Sequence, residues 1–486
     1  MDKTSTSLGP DGKQSNPFVT PEQYGLPTSP AMQRLSPLDM NMPRLYGTRW
    51  ILSFPLESGA DKAQIYEGLR RGLAHTISSI PWIAGNIGPE DGRDLKENRV
   101  QIVDSSTGVR FQYNDLTGAL PSYAELKAEH FPLSKFTTAQ LSPLGVMPEP
   151  PEPVMAAQAN FIEGGLLLTV GVHHAVCDAS AVGTIIDTWA HNTAATSTSE
   201  PVSFSKYDTP SNDRSPLMVG APGAKLTDFP EYILQPTPSA AAADVNMEQM
   251  AKTGFSLPPM TTCIFHFSPA SLVALKAAAE AYSTNDALSG FLWRHMTLAR
   301  NPIQPSGSIV PDEDGEKTTA ILYAANIRTR CSPPLPHSYL GNASMGTITE
   351  RLSISTLTSS SGLKTAASAV RKSLQRLVDT PNRIPLTIGL IDARPDPTEL
   401  RFAYHGFLGP DISSTSWADI GVYESVWGQL GKVESFRVPG EGADGAIAVF
   451  PRLKQGGLEV MVALEAEAMQ RLIGDPEFVG KAELWA

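Results

Sequence analysis

Cysteine is scarce in this chain, with only Cys177, Cys263 and Cys331 among 486 residues. An odd number, scattered without metal-ligand spacing, argues against a disulfide framework and against a bound metal. Apolar residues never run uninterrupted for the roughly 18 positions that a bilayer-spanning helix needs. Basic charge is also in deficit, with 38 Lys and Arg against 50 Asp and Glu and a net charge of -12. Phosphate binding requires a basic surface and no Lys/Arg cluster is present, so nucleic acid is disfavoured as a partner. The amino terminus, Met1 to Pro10, lacks the basic and apolar regions of a secretory signal. Its polarity leads us to expect disorder up to about residue 30. The expectation is a cytoplasmic protein with no membrane association and no bound cofactor.

The length far exceeds the roughly 250 to 300 residues at which one core stops growing, so two domains are expected. Hydrophobic content of 41% with 18% charge suits a globular chain that buries large cores. Between about residues 200 and 260 the composition shifts to Pro, Ser, Ala and Asp, including Pro236 to Ala243, as in an inter-domain crossover. The organisation expected is a disordered 1–30, an N-terminal lobe over 31–205, a crossover over 206–260 and a C-terminal lobe over 261–486. In that last segment Thr261 to Phe267 alternates as a strand, and Ser268-Pro269 caps and opens a helix. Ser283 and Asp286 have the spacing of a capping box ahead of Leu288, Phe291, Leu292 and His295. Further strands are expected over Thr319 to Ala325 and Leu458 to Leu464, and helices over Ser361 to Leu377 and Glu465 to Leu472. The fold class is α/β in two lobes.

The chemistry points to His173-His174-Ala175-Val176-Cys177-Asp178. Upstream, Gly165 to Val172 is an apolar run of strand length. Downstream, Ala181, Val182, Ile185, Ile186 and Trp189 share one helix face, with Thr184, Asp187 and Thr188 turned away. A loop at the end of a rigid strand is a good mount for a catalytic group. Imidazole, with an ordinary pKa of about 6.5, can take a proton near neutrality. Such general-base assistance is worth roughly two to four powers of ten in rate. Asp178 is expected to brace the loop, by capping the helix or by pairing with a distant arginine. The same six residues also fit a plain strand end with one ring buried and one solvated, with Asp178 as a simple N-cap. Cys177 offers a thiol nucleophile as a weaker alternative to His174.

Five separated blocks occur in one order: Leu35-Ser36-Pro37-Leu38-Asp39; His174 with Asp178; Ser283 to Ser289 followed by Trp293-Arg294; Asn326-Ile327-Arg328-Thr329-Arg330 with Pro333 to Pro336 and Tyr339 to Ala343; and Thr415-Ser416-Trp417. Together they resemble the BAHD acyltransferases, in particular the fungal branch similar to trichothecene 3-O-acetyltransferases. The first block looks like that family's opening strand. The resemblance implies two similar chloramphenicol-acetyltransferase-like lobes with an active-site channel between them. By the same resemblance an acyl-CoA is the co-substrate and His174 deprotonates the hydroxyl or amine of a small specialised metabolite. The nucleophile then attacks the thioester without a covalent acyl-enzyme. Thr415 and Trp417 would lie by the oxyanion and acceptor, where one well-placed donor is worth roughly 3 to 4 kcal/mol. Arg328, Trp427 and Gly428 would be structural, and the protein a monomer.

Two positions depart from the family pattern. Val426, ahead of Trp427-Gly428, stands where the family carries an aspartate that pairs with an arginine, matched here by Arg328. A buried arginine without its partner is costly, so a substitute acid such as Glu424 or Asp419, or solvent exposure of Arg328, is expected. The missing carboxylate opens an alternative function: a repurposed fold that condenses, cyclises or dehydrates a metabolite without coenzyme A. Ala179 replaces the family's glycine and would be strained if the turn needed a positive φ.

Overall fold

The computed structural model describes residues 7–10, 12, 14–105, 107–196, 209–235, 257–302, 317–440 and 442–486. Two mixed sheets dominate it. The N-terminal portion supplies β1 (Phe18–Val19), α1 (Pro37–Asn41), β2 (Thr48–Pro55), α2 (Lys62–Ser79), β3 (Val109–Asp115), β4 (Met155–Ile162), β5 (Gly165–Val172) and α3 (Ala179–Thr196). The C-terminal portion supplies β6 (Met260–Phe267), α4 (Pro269–Ala278), α5 (Thr284–Arg300), β7 (Ile321–Asn326), β8 (Ser344–Ile348), α6 (Gly362–Asp379), β9 (Ile412–Ser416), β10 (Ser435–Arg437), β11 (Ala446–Val449), β12 (Leu458–Glu465), α7 (Ala466–Ile473) and β13 (Glu483–Leu484). The first sheet has the order β10-β2-β5-β4-β3-β1 and the second β8-β7-β9-β11-β12-β6-β13.

Local pattern accounts for most of these elements. Every residue of β4 and β5 is buried, as continuous apolar runs demand when both faces of a sheet are covered. The stripe Ala181, Val182, Ile185, Ile186 and Trp189 of α3 is wholly inside, facing α2, where Trp189 Nε1 donates to Leu69 O at 2.9 Å. A fully buried indole removes roughly 200 Å² from water. At about 25 cal/mol per Å² that contributes some 5 kcal/mol, an upper bound. The two helices cross closely at Gly72, where an added Cβ would lie 2.7 Å from Thr193 N. Thr188, expected on the outer face, is buried as well. Its hydroxyl donates back to Thr184 O at 2.8 Å, which lets a polar side chain sit inside.

The caps read from sequence form as hydrogen bonds. Ser268 Oγ accepts from Ser271 N at 3.1 Å. In the Ser283/Asp286 box Ser283 N donates to Asp286 at 3.1 Å and Asp286 N to Ser283 at 3.2 Å.

Two expectations are corrected here. Leu35 to Asp39 is not a strand: Ser36 caps α1, and Asp39 at its third position completes a capping box. Pro37 at the first helical position has no N–H to lose there. The segment to residue 30 is not a loose tail throughout, since β1 pairs with β3 and Val19 is fully buried. Residues 1–6 lie outside the described residues, as do 206–208 and 236–256 of the expected crossover. Among the described residues, no helix is long and apolar enough to cross a membrane.

The two sheets are joined directly. The late strand β10 adds to the edge of the first sheet beside β2, and its Arg437 pairs with Glu459 of the second sheet at 2.7 Å. At the carboxyl end, Trp485 stacks between His130 and His266, with centroids 4.4 and 4.1 Å away.

Candidate active site

The segment from His173 to Asp178 links β5 to α3 and lies where the two lobes meet. Its two histidines part company. His173 is fully buried, and its Nδ1 accepts from Ala175 N at 3.2 Å. Burial first, then the Arg44 guanidinium and the neighbouring His174, push its pKa down to about 3. A ring so placed stays neutral and closes the turn. His174 is only partly buried. Its backbone N donates to Leu45 O at 2.9 Å, and no described residue bonds its buried Nδ1.

Asp178 takes both of the roles considered for it. One oxygen accepts from Ala181 N at 3.0 Å and caps α3. The carboxylate also receives both terminal nitrogens of Arg328, each at 2.8 Å, in a two-pronged pair. Ala343 N adds a fourth bond at 2.9 Å. Burial alone would raise the pKa of Asp178. The Arg328 guanidinium and the two N–H groups outweigh it and hold the carboxyl below its ordinary range. Such a carboxylate is an anion fixed in place and a poor base.

The expected partner of Arg328 is therefore corrected. Neither Glu424 nor Asp419 replaces the missing family aspartate. Glu424 is exposed and pairs with Lys432 at 2.8 Å, and Asp419 is exposed. Arg328 is not solvent-exposed either, at 1%; its terminal nitrogens are held by Asp178 and, through Nη2, by the carbonyls of Tyr339 at 2.8 Å and Gly341 at 3.3 Å. Val426 is 48% exposed, so the site where a carboxylate was missed faces solvent and demands no counter-ion. Nor is Ala179 strained: it opens α3 and is not among the residues with positive φ. Cys177 is fully buried and burial pushes its thiol up, which removes it as a nucleophile.

Trp427 is wholly inside, edge-on to Phe54 and Trp189 at 5.7 and 5.5 Å. Gly428 adopts φ +61°, a conformation in which a side chain would be strained. Thr415, near the end of β9, is half-buried. Trp417, just beyond that strand, is 6% exposed and packs on Trp50, Phe436 and Phe450. Trp50 lies on β2 opposite Val170 of β5, so this cluster abuts the strand that ends in the histidine pair.

Three residues with no role in the sequence reading complete the loop's surroundings. Asp39, fully buried, receives Arg214 Nη1 at 2.8 Å. Its other oxygen accepts the backbone and side-chain nitrogens of Asn342 at 2.8 and 2.9 Å. Asn342 Nδ2 also donates to His174 O at 3.0 Å, and Arg214 Nη1 to Val176 O at 2.8 Å. The spacing of Ser36 and Asp39 carried a cap signal; Arg214, in a segment without periodicity, carried none.

Among known proteins, the sequence profile described as the Transferase family matches residues 15–479. Acyltransferase easC of Emericella nidulans is 29% identical over 489 residues, covering 95% of this chain and 97% of its own. Acyltransferase BOA11 of Botryotinia fuckeliana is 30% identical over 475 residues, covering 92% and 97%. Eremophilane O-acetyltransferase prx11 of Penicillium rubens is 28% identical over 489 residues, covering 92% and 97%. TRI101 of F. sporotrichioides, solved with coenzyme A and T-2, shares the fold with a TM-score of 0.78 at 23% identity, covering 94% of this chain and 100% of that one. Vinorine synthase shares it with a TM-score of 0.60 at 18% identity, covering 96% of each.

Proposed function

The chain belongs to the Transferase family of BAHD acyltransferases, and from that premise we propose that it moves an acyl group from acyl-CoA to a hydroxyl or amine of a small specialised metabolite, with His174 as general base. One observation carries the assignment. Of the titratable groups in the loop, His173 and Cys177 are fully buried and Asp178 is locked to Arg328, whereas His174 is only partly buried.

In this reading Nε2 of His174, the ring nitrogen other than the buried Nδ1, takes the acceptor's proton as its oxygen or nitrogen attacks the thioester carbonyl. The tetrahedral oxyanion then collapses, the C–S bond breaks, and the leaving thiolate recovers the proton from the imidazolium. Asp178 takes no proton; pinned by Arg328, it fixes the start of α3 and with it the end of the loop. Thr415, whose hydroxyl bonds no other described residue, is the candidate donor to the oxyanion. Trp417, packed among three aromatic rings, serves better as a rigid wall to the acceptor side than as a hydrogen-bond donor.

The alternative of a coenzyme A-independent condensation, cyclisation or dehydration drew its support from Val426. That support weakens once Arg328 is paired elsewhere. The two readings separate in one assay: purified protein is incubated with a panel of acyl-CoA donors and release of free thiol is followed with a thiol dye. Donor turnover, lowered at least about a hundredfold in His174→Ala, is the expected outcome. Indifference to every donor would favour the alternative, and a loss below about threefold would remove His174 from the mechanism.

A further inference from the structure

Because no described residue holds Nδ1 of His174, the aim of the ring is set by the backbone from which it hangs. That backbone is gripped from outside at two carbonyls. Asn342 Nδ2 reaches His174 O, and Arg214 Nη1 reaches Val176 O. Both grips return to one carboxylate, that of Asp39. Capping α1 occupies only one of its oxygens, which accepts from Ser36 N and Oγ at 2.8 Å. The Asn342 amide takes the other oxygen, and the Arg214 guanidinium shares the capping one; both are uses beyond the cap. All three side chains are almost wholly buried, where such bonds are strong and few alternatives compete. They come from three remote parts of the chain, one of them the segment between the lobes.

Resting on the reading of His174 as base, we infer that Asp39, Arg214 and Asn342 form a positioning unit that holds the His174 carbonyl and the Val176 carbonyl and so fixes the direction of the imidazole during acyl transfer. None of the three touches a reacting atom; each acts through the loop. The sensitivity is expected to be high, since an error of about 1 Å in the placement of a catalytic group can cost two powers of ten in rate.

Asn342→Ala is the cleanest test. It removes the bridge to His174 O, yet Asp39 keeps its bond from the backbone N of residue 342 and its pair with Arg214, so the fold should survive. With acetyl-CoA as donor, kcat should fall at least about tenfold while KM stays within about twofold. In the His174→Ala background the same change should cost nothing further, because the unit acts only through that ring. Arg214→Lys, which preserves the charge beside Asp39, should keep more activity than Arg214→Met; this pair reports on the unit even if Asn342→Ala folds poorly. A kcat for Asn342→Ala within about twofold of wild type, or an additive loss in the double variant, overturns the positioning unit and leaves His174 standing. Undiminished turnover in His174→Ala overturns the base itself, a distinct result.

Discussion

Replacing Arg328 by leucine would leave the Asp178 carboxylate, 5% exposed, without its counter-charge. Breaking a buried pair from one side costs about 3 to 5 kcal/mol, because the abandoned charge stays inside. Asp178 would retain Ala181 N and Ala343 N as donors, which moves the cost down. The carbonyls of Tyr339 and Gly341 would lose the guanidinium, at roughly 1 kcal/mol each, which moves it back up. A total near 4 kcal/mol follows. For a cooperative unit of 150 to 250 residues, at about 2 to 4 °C per kcal/mol, the melting temperature should drop by roughly 8 to 16 °C. Urea titrations at equilibrium and thermal scans at pH 7, followed by both fluorescence and circular dichroism, would measure it. Adding Asp178→Asn to Arg328→Leu should restore about 2 kcal/mol or more, since neither charge then remains. The pH dependence has a definite sign. The pKa of Asp178 is held below its ordinary value, so its contribution is complete above the unfolded pKa of about 3.9 and is lost as pH falls through the folded value. The gap between wild type and Arg328→Leu should accordingly narrow as the solution is taken towards and below about pH 4. A variant melting within about 1 °C of wild type would refute the pairing and with it the account of how the loop is anchored.

His173, held neutral with a pKa of about 3, binds no proton in the folded state where the unfolded chain binds one below about pH 6.5. Its contribution is present above that value and lost on acidification. In His173→Gln, whose side-chain oxygen can still accept from Ala175 N, the fall of unfolding free energy between pH 6 and pH 4 should be shallower by up to about 1.4 kcal/mol per pH unit; an unchanged slope in urea melts would mean the ring titrates freely. Cys177, sealed at 0% exposure, should resist thiol reagents in the native protein. Cys177→Ala should turn over within about threefold of wild type, and a loss near a hundredfold would restore the thiol to the mechanism.

The elements that sequence made legible are those whose cause is local. The buried run Gly165–Val172, the stripe on Ala179–Thr196 and the Ser283/Asp286 box each follow from a period or an i,i+3 relation that leaves its mark within a few residues. Pairings that close over long stretches leave no such mark. Asp178 finds Arg328 at a separation of 150 residues, and Asp39 finds Arg214 at 175, so matching motifs sent Arg328 to the wrong acid and left Arg214 without a part. The same division explains why the loop is served from afar. Between the end of a strand ladder and the first turn of a helix, buried carbonyls have no regular partner, yet buried polar groups must find one. The sequence therefore implies that donors exist for His174 O and Val176 O without saying which. Here side chains from other segments reach them, and a carboxylate that collects those donors at one point converts two separate contacts into a single fixed geometry. In this chain the base is written locally, but its aim is written across the whole fold.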